Sequence, residues 1–407
     1  MTNQTFDTKI SDVSLRSEHS LAPQMAHQGF DRPKRAVAPV AKVSDLRIAV
    51  VSDAIAGRNG VGTFYLDLLA QIEGDVARAE LISPKQSADY SLERFALPLP
   101  GDKTQRLAWP RRRELNARLD QLRPNLIVIP SLGPFSFFAF TYARKNQISV
   151  VVVNHTDFDH LLSLYWTKWA VWPLRIGLNA VNRWLCKRAT AVGVMHSEAL
   201  ETAKRHGAKV VRVMGTPLSS DFLSRPIQPL TETVTRAVFV GRLAKEKGIA
   251  DLLKAVRLSP QTHFTIVGDG PLREEIEATA KVCKNLTYRG WLSRSGVLIE
   301  IDAADVLVLP SAYETFGTVA LEALARQRYV IASSGCGITK WHALADGIFL
   351  TSDAKGLKEV LDDIQKMEPL DRRQKAAKSW QAVEAFNSQA VNEWLNLFCD
   401  AAHAQSR

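Results

Sequence analysis

Short, continuously apolar segments recur along this chain, and stretches with helical spacing separate each one from the next. The first series consists of Leu46–Ser52, Leu126–Pro130, Ile148–Asn154 and Ala191–Met195. Strands that are apolar on both faces are typical of parallel sheets covered by helices on both sides. The alternation therefore predicts an α/β fold with doubly wound parallel sheets.

A second series of the same kind follows. It consists of Ala237–Gly241, His263–Val267, Leu286–Tyr288, Val306–Leu309 and Tyr329–Ala332. Because 407 residues exceed what one hydrophobic core usually holds, each series is expected to form its own Rossmann-like domain. We predict a disordered tail at 1–45, a first domain at 46–215, a proline-rich linker at 216–235, a second domain at 236–381 and a C-terminal helix at 382–407.

The composition narrows the class of protein. The four cysteines are scattered, without a CxxC or a Cys/His cluster, so we expect neither a metal site nor a disulfide framework. No apolar run approaches the ~20 residues of a membrane-spanning helix, and no hydrophobic leader follows the N-terminus. We therefore expect a cytoplasmic protein. Nucleic-acid binding is not expected, because no recognition helix or RNP-type motif is present.

The formal charge of +10 is concentrated in one part of the chain, because residues 101–213 hold 18 Lys and Arg but only 7 Asp and Glu. No acidic residue lies between Asp159 and Glu198. That stretch contains tryptophans and cations, among them Trp166, Lys168, Trp169, Arg175, Arg183, Lys187 and Arg188. Such a pattern favours an interfacial helix on anionic lipid at the inner face of the cell membrane, while a core helix with inward aromatics is the alternative.

The strongest chemical signal is the sequence ETFGTVALE at 314–322, which follows an apolar strand and opens a helix. A helix N-terminus offers unpaired N–H groups and a partial positive charge, and these suit a phosphate. Gly317 lets the backbone approach a ligand closely. Glu314 and Glu322 are well separated along the helix axis, so we expect them to contact two parts of one extended ligand. The alternative is an ordinary turn with two surface glutamates.

Two further loops follow strands of the second series. The sequence GRLAKEKG at 241–248 offers Arg242 and Lys247 to a diphosphate, or else is a solvated charged loop. The sequence VGDGP at 267–271 is a tight turn around Gly268, and we favour an architectural role for Asp269.

In the first domain, the glycine loop GRNGVG at 57–62 lacks the spacing of the dinucleotide fingerprint. Gly60 and Gly62 still permit close approach of a sugar or phosphate. His155 and Asp157 follow the strand Ile148–Asn154. A histidine at a strand end that faces a cleft is a candidate hydrogen-bond donor.

Taken together, these five segments resemble the retaining GT-B glycosyltransferases of family four, over most of the chain from about Arg47. The resemblance rests on the Glu314/Glu322 pair, the Arg242/Lys247 loop with Gly241, the Gly268 turn, the glycine loop and the segment at His155. It implies the GT-B fold, in which two Rossmann-like domains face each other across a cleft and the C-terminal helix crosses back onto the first domain. The version at His155 looks like that of mannosyl- and lipid-glycosyl-transferring members.

The resemblance also implies roles. Arg242 and Lys247 would hold the diphosphate of a UDP- or GDP-sugar, Glu322 the ribose, and Glu314 with the backbone of Phe316–Thr318 the transferred sugar. His155 would lie near the reacting sugar, and no metal or other cofactor would be required. The chain departs from the family after Tyr329–Ala332, where Cys336 replaces a glycine and Lys340 replaces the usual acid.

The nature of the acceptor stays open. A lipid or lipid-linked acceptor at the membrane is favoured by the basic first domain, and a soluble alcohol or a growing polysaccharide is the alternative. An NDP-sugar-binding regulatory protein and an NDP-sugar epimerase are further alternatives.

Overall fold

The computed structural model describes residues 42–55, 60–85, 90–99, 102–130, 133–155 and 168–404. They form two six-stranded sheets in which every neighbouring pair of strands is parallel. The predicted α/β architecture with two doubly wound parallel sheets is therefore confirmed. The predicted tail falls outside the described residues, except that Val43–Asp45 form a short 3₁₀ turn.

The first sheet has the strand order β2-β1-β5-β6-β7-β8. Its strands are β1 (Arg47–Val51), β2 (Arg78–Ile82), β5 (Leu126–Ile129), β6 (Ser149–Asn154), β7 (Ala191–Val194) and β8 (Val211–Val213). An antiparallel hairpin of β3 (Glu93–Leu99) and β4 (Asp102–Pro110) stands apart from it. The helices are α1 (Gly60–Ile72), α2 (Arg112–Leu122), α3 (Pro134–Lys145), α4 (Lys168–Arg188) and α5 (Ser197–Arg205).

The second sheet has the order β11-β10-β9-β12-β13-β14. Its strands are β9 (Arg236–Val240), β10 (His263–Val267), β11 (Leu286–Gly290), β12 (Val306–Leu309), β13 (Tyr329–Ser333) and β14 (Ile348–Thr351). The helices that follow α5 are α6 (Ser220–Ser224), α7 (Ile249–Leu258), α8 (Arg273–Val282), α9 (Arg294–Ala303), α10 (Thr318–Ala325), α11 (Ala354–Lys366) and α12 (Pro369–His403).

Each sheet buries both of its faces. Ile48 and Val50 of β1 pack into one hydrophobic cluster, and Ala49 and Val51 pack into another on the opposite face. This alternation follows from the two-residue period of a strand, and it explains why the central strands are apolar throughout. None of the described helices has the length and hydrophobicity required to cross a membrane.

The final helix belongs to both cores. Phe386 of α12 lies in a cluster of the second domain, whereas Trp394 and Phe398 are fully buried against the first sheet. The indole N–H of Trp394 donates to the carbonyl of Gly215 at 2.9 Å. The helix begins at Pro369, earlier than the predicted boundary at 382. Proline is well tolerated at the first position of a helix, so Pro369 is compatible with this start.

Two buried arginines fix the segment that joins the domains. Arg326 forms a two-pronged contact with Asp302 at 2.8 and 2.9 Å, and it donates to the carbonyls of Arg225 and Pro226 at 2.8 and 2.6 Å. Arg328 donates to the carbonyl of Gln228 at 2.8 Å. The predicted linker is therefore not a free tether, because its backbone is hydrogen-bonded to the second domain.

Candidate active site

The charged loops lie where the strand order of the second sheet reverses. β9 and β12 are neighbours in the sheet. The chain continues from β9 to β10 on one side of this pair and from β12 to β13 on the other side. The loop at 241–248 follows β9, and the loop at 310–317 follows β12. A reversal of this kind opens a crevice at the carboxyl ends of the strands, and ligands of α/β folds bind there.

Close backbone packing holds the loop after β9. Gly268 has φ +139°, and a Cβ at this position would lie 1.8 Å from the carbonyl oxygen of Gly241. The N–H of Leu243 donates to the carbonyl of Asp269 at 3.0 Å. The carboxylate of Asp269 accepts from the N–H of Gly270 at 2.8 Å, within its own turn. The turn after β10 thus packs against the backbone of the Arg242 loop, in keeping with an architectural role for Asp269.

The same loop contacts the loop after β12 directly. Gly248 has φ +67°, and a Cβ there would lie 2.0 Å from the carbonyl oxygen of Pro310, so only glycine fits without a backbone shift. This approach brings the ammonium of Lys247 into an ion pair with the carboxylate of Glu314. Both side chains are mostly buried. Two residues far apart in the chain therefore meet in the crevice.

Arg242 belongs to the same loop as Lys247. Its guanidinium donates to the carboxylate of Glu246 at 2.9 Å, and Glu246 is buried. The loop after β9 thus carries two cations, each held by a carboxylate. Such a pair can neutralise a diphosphate, Arg through its fork and Lys as a point charge.

The tip of α10 completes this side of the crevice. Gly317 has φ +96° at the N-cap position, a conformation that L side chains rarely adopt. The N–H groups of Thr318 and Val319 follow in the first turn of the helix, where backbone donors have no intrahelical partner. Phe316 is buried, and its ring packs 5.9 Å from that of Phe386.

Glu322 is buried, which excludes the interpretation as a surface glutamate. Its carboxylate accepts from the guanidinium of Arg294 at 2.9 Å, and the same nitrogen of Arg294 lies 2.7 Å from Asp67 of the first domain. Burial raises the pKa of Glu322 to about 7 and that of Asp67 to about 6, while Arg294 lowers both.

His155 faces this site from the first domain, at the end of β6. Its Nε2 lies 3.0 Å from the hydroxyl of Tyr65, and the edge of its ring packs against Phe64. Burial lowers the pKa of His155 to about 3, so the imidazole is neutral near pH 7. The hydroxyl of Thr315 donates to the carbonyl of His155 at 2.6 Å, which links the two domains beside Glu314.

Gly60 and Gly62 are placed differently from the prediction. Instead of a loop they form part of the first turn of α1, which begins at Gly60. Apart from its chain neighbours and its own helix backbone, no atom of the described residues lies within 4 Å of the position that a Cβ of Gly60 would occupy, whereas Gly62 is buried. The helix therefore begins three residues before the apolar periodicity of 63–69, because helix N-termini tolerate glycine.

The basic stretch forms the helix α4, which exposes its cations and turns one tryptophan inward. Arg175, Arg183, Lys187 and Arg188 are exposed, whereas Trp184 packs inward, 4.7 Å from the ring of Phe140. Lys168 and Trp169 begin this helix, but their side chains, like Asp157 and Trp166, lie outside the described part of the chain.

Four residues that the sequence did not single out contribute to the site or span the domains: Tyr65, Asp67, Glu198 and Arg294. The only signal for Asp67 in the sequence is that it is a single acid within the apolar helical segment at 63–69. Glu198 of the first domain accepts from the ammonium of Lys340 at 2.7 Å. Lys340, which replaces the acid usual in the family, therefore has a partner in the other domain. Among the described residues, no group of three or more His, Cys, Asp or Glu is arranged to hold a metal ion.

Two protein-family models match this chain. The model described as Glycosyltransferase Family 4 matches residues 58–218, and the model described as Glycosyl transferases group 1 matches residues 222–380. Between them they cover the second sheet, every strand of the first sheet except β1, and every charged loop of the crevice.

Relatives and solved structures agree with these matches. The chain is 25% identical to the sulfoquinovosyl transferase SQD2 of Arabidopsis thaliana, over 54% of this chain but only 45% of that protein. It is 24% identical to the alpha-monoglucosyldiacylglycerol synthase of Acholeplasma laidlawii, over 70% of this chain and 80% of that protein. The sucrose-phosphate synthase of Thermosynechococcus elongatus superimposes with a TM-score of 0.68 at 19% identity, covering 86% of this chain and 97% of that one.

Proposed function

The chain belongs to the GT-B glycosyltransferases of the family-four type, and from that premise we propose that it transfers a hexose from a UDP- or GDP-sugar with retention of configuration. One observation carries the proposal. Lys247 and Glu314, from loops after two different strands, form an ion pair at the reversal point of the second sheet. A cation and a sugar-binding carboxylate then flank the position at which a diphosphate and its sugar would meet.

Each residue has a chemical part in this proposal. Arg242 and Lys247 stabilise the negative charge that develops on the leaving diphosphate, so the transfer requires no metal ion. The N-terminus of α10 adds its N–H groups. Glu314 accepts hydrogen bonds from hydroxyls of the sugar, and Glu322 accepts them from the ribose. The neutral His155 donates a hydrogen bond near the reacting sugar from the opposite domain.

The donor assignment is tested by binding and hydrolysis. A panel of UDP- and GDP-sugars, assayed for donor hydrolysis without acceptor, identifies the base and the sugar. Glu322→Ala is expected to weaken the binding of the matching nucleoside diphosphate about tenfold to a hundredfold, because a hydrogen bond to a charged group contributes about 1.5–3 kcal/mol. Titration calorimetry measures this, with Glu359→Ala, exposed on α11, as the control. Unchanged affinity in Glu322→Ala would remove the ribose assignment.

Product analysis separates transfer from the other sugar-nucleotide activities. A glycosyltransferase consumes donor in proportion to glycosylated acceptor or to hydrolysis product. An epimerase converts the donor sugar without releasing nucleotide, and a regulatory protein binds the donor without turnover. The ion-paired Lys247 and the buried Glu322 favour turnover, since charged groups that are costly to bury are typical of functional sites.

For the acceptor, we propose a lipid or lipid-linked molecule at the cytoplasmic face of the membrane. Exposed cations and apolar side chains share one surface of the first domain. α4 exposes Arg183, Lys187 and half of Ile176, and the half-exposed Phe137 of α3 stacks on Trp184 of that helix. The likeness to a glycolipid synthase supports the same class of acceptor.

The hairpin β3–β4 of the same domain exposes further apolar side chains. β4 contacts α3, and Phe95 stacks on Trp109 with ring centroids 5.4 Å apart. Phe95 and Leu97 are both about half exposed. Apolar side chains beside cations suit the interface of an anionic bilayer, in which each Lys or Arg near the surface contributes about 1 kcal/mol.

Flotation with vesicles tests the membrane assignment. The protein is expected to float with vesicles that contain phosphatidylglycerol and less with pure phosphatidylcholine. The double change Arg183→Glu and Lys187→Glu is expected to lower partitioning by more than tenfold, because two surface cations are replaced by anions. The change of Lys254 and Arg257 on α7 to glutamate is the matched control. Wild-type protein that stays in the soluble fraction at low salt contradicts the membrane assignment and leaves a soluble acceptor.

A further inference from the structure

A buried ionic cluster joins the two domains beside the crevice. Arg294 begins α9 of the second domain, and one of its terminal nitrogens contacts two carboxylates. It lies 2.9 Å from Glu322 of α10 and 2.7 Å from Asp67 of α1 in the first domain. Both acidic residues are only 7% exposed. One cation thus serves two acids that come from opposite sides of the cleft.

A single guanidinium cannot neutralise two carboxylates at once. In a poorly hydrated setting the second negative charge is costly, and the negative charge of each acid disfavours ionisation of the other. Arg294 acts in the opposite direction and favours the ionised form of both. The protonation states of Glu322 and Asp67 therefore depend on which of the groups in the cluster remain charged.

The neighbouring elements add few competing charges. Asp221 of α6 faces Asp67 and raises its pKa further, and Asp221 itself lies 3.7 Å from Arg225. α12 contributes the apolar Val383 and Phe386 to the cluster that contains α10. Lys340, from the turn that also packs on α10, is paired with Glu198, and Lys247 is paired with Glu314.

We propose that Arg294 is a positioning residue that holds Glu322 as an oriented anion for the donor's ribose, and that Asp67 modulates this hold from the first domain. The inference rests on the proposed function, because it takes Glu322 as the carboxylate that binds the ribose. A carboxylate accepts hydrogen bonds from both hydroxyls of a diol, whereas a protonated carboxyl accepts fewer. The first domain thereby influences nucleotide affinity through Asp67, which acts by way of Arg294 and not through a contact with the nucleotide.

Two substitutions are expected to move the pH dependence in opposite directions. Nucleoside diphosphate binding to the wild type should weaken as the pH falls through about 7, the pKa of Glu322. Arg294→Ala removes the cation, so this weakening should occur at higher pH, with a loss of about tenfold or more at neutral pH. Asp67→Asn removes the competing anion, so the weakening should occur at lower pH, with tighter binding under mildly acidic conditions.

Titration calorimetry with UDP and GDP, from mildly acidic to mildly alkaline pH, measures these shifts. Arg294→Lys keeps the positive charge and should return the midpoint toward the wild-type value. Asp251→Asn, on α7 of the second domain, is the matched control. If Arg294→Ala does not fold, Asp67→Asn and Arg294→Lys still carry the test, because the first is nearly isosteric and the second keeps the positive charge.

The outcomes separate the two proposals. If both substitutions weaken binding without moving the midpoint, or move it in the same direction, the cluster has only a structural role and the inference is wrong. If the wild type binds neither UDP nor GDP, the proposed function fails first. If the wild type binds and Glu322→Ala weakens binding while Asp67→Asn changes nothing, the proposed function stands and the inference falls.

Discussion

Replacing Lys247 with alanine is expected to lower kcat/KM for the donor about 10²- to 10³-fold. The expected loss corresponds to the removal of one preorganised group that stabilises charge in a transition state. Lys247 is mostly buried between two packed loops, so the lost charge cannot be supplied by water as effectively. Steady-state kinetics with the donor that the panel identifies measures the effect.

Lys245 provides the matched control, because it lies in the same loop but is exposed. Lys245→Ala should leave kcat/KM within about twofold of the wild type, since exposed positions away from the site contribute little. Thermal unfolding shows whether both variants are folded. Full activity in Lys247→Ala would contradict the assignment of this residue to the leaving diphosphate.

Replacing Arg326 with alanine is expected to lower the free energy of unfolding by about 3–5 kcal/mol. Arg326 is fully buried, and its removal leaves Asp302 without its two-pronged partner and the carbonyls of Arg225 and Pro226 without their donor. Unpaired buried charges and carbonyls are costly because they have lost water without a replacement.

Urea unfolding monitored by circular dichroism measures the change. Arg373→Ala is the control, since Arg373 is exposed on α12 and a surface change usually stays within about 0.5 kcal/mol. Arg326→Lys keeps the charge but loses the fork, and it should fall between the two. A loss below 1 kcal/mol in Arg326→Ala would show that the joining segment is not fixed by this residue.

The central strands of the fold could be predicted because they are buried on both faces. The predicted segments at His263–Val267 and Val306–Leu309 coincide with β10 and β12. Of the four edge strands, only β11 was predicted, at Leu286–Tyr288, and the other three could not be predicted in the same way. β2 carries Arg78 and Glu80, because an edge strand pairs on one side and keeps part of its surface in water. β8, β14 and the hairpin β3–β4 were missed as well.

The site was predictable where a motif follows a strand end. Lys247 and Glu314 were both identified from their loops, and the structure brings them into contact. The Asp67–Arg294 contact has no local signature, because it depends on how the two domains are placed against each other. Sequence periodicity reports burial within one element, but not which distant element covers it.

The helix α12 bears on how the polypeptide folds during synthesis. Trp394 donates a hydrogen bond to Gly215, which precedes it by 179 positions. Ala401 accepts a hydrogen bond from Ser149, which precedes it by 252 positions. The domain translated first therefore cannot close its hydrophobic interior until the second has emerged from the ribosome. Nascent first-domain chains should thus expose the apolar face around Ile48 and Val50 for a prolonged interval, during which they need protection from aggregation.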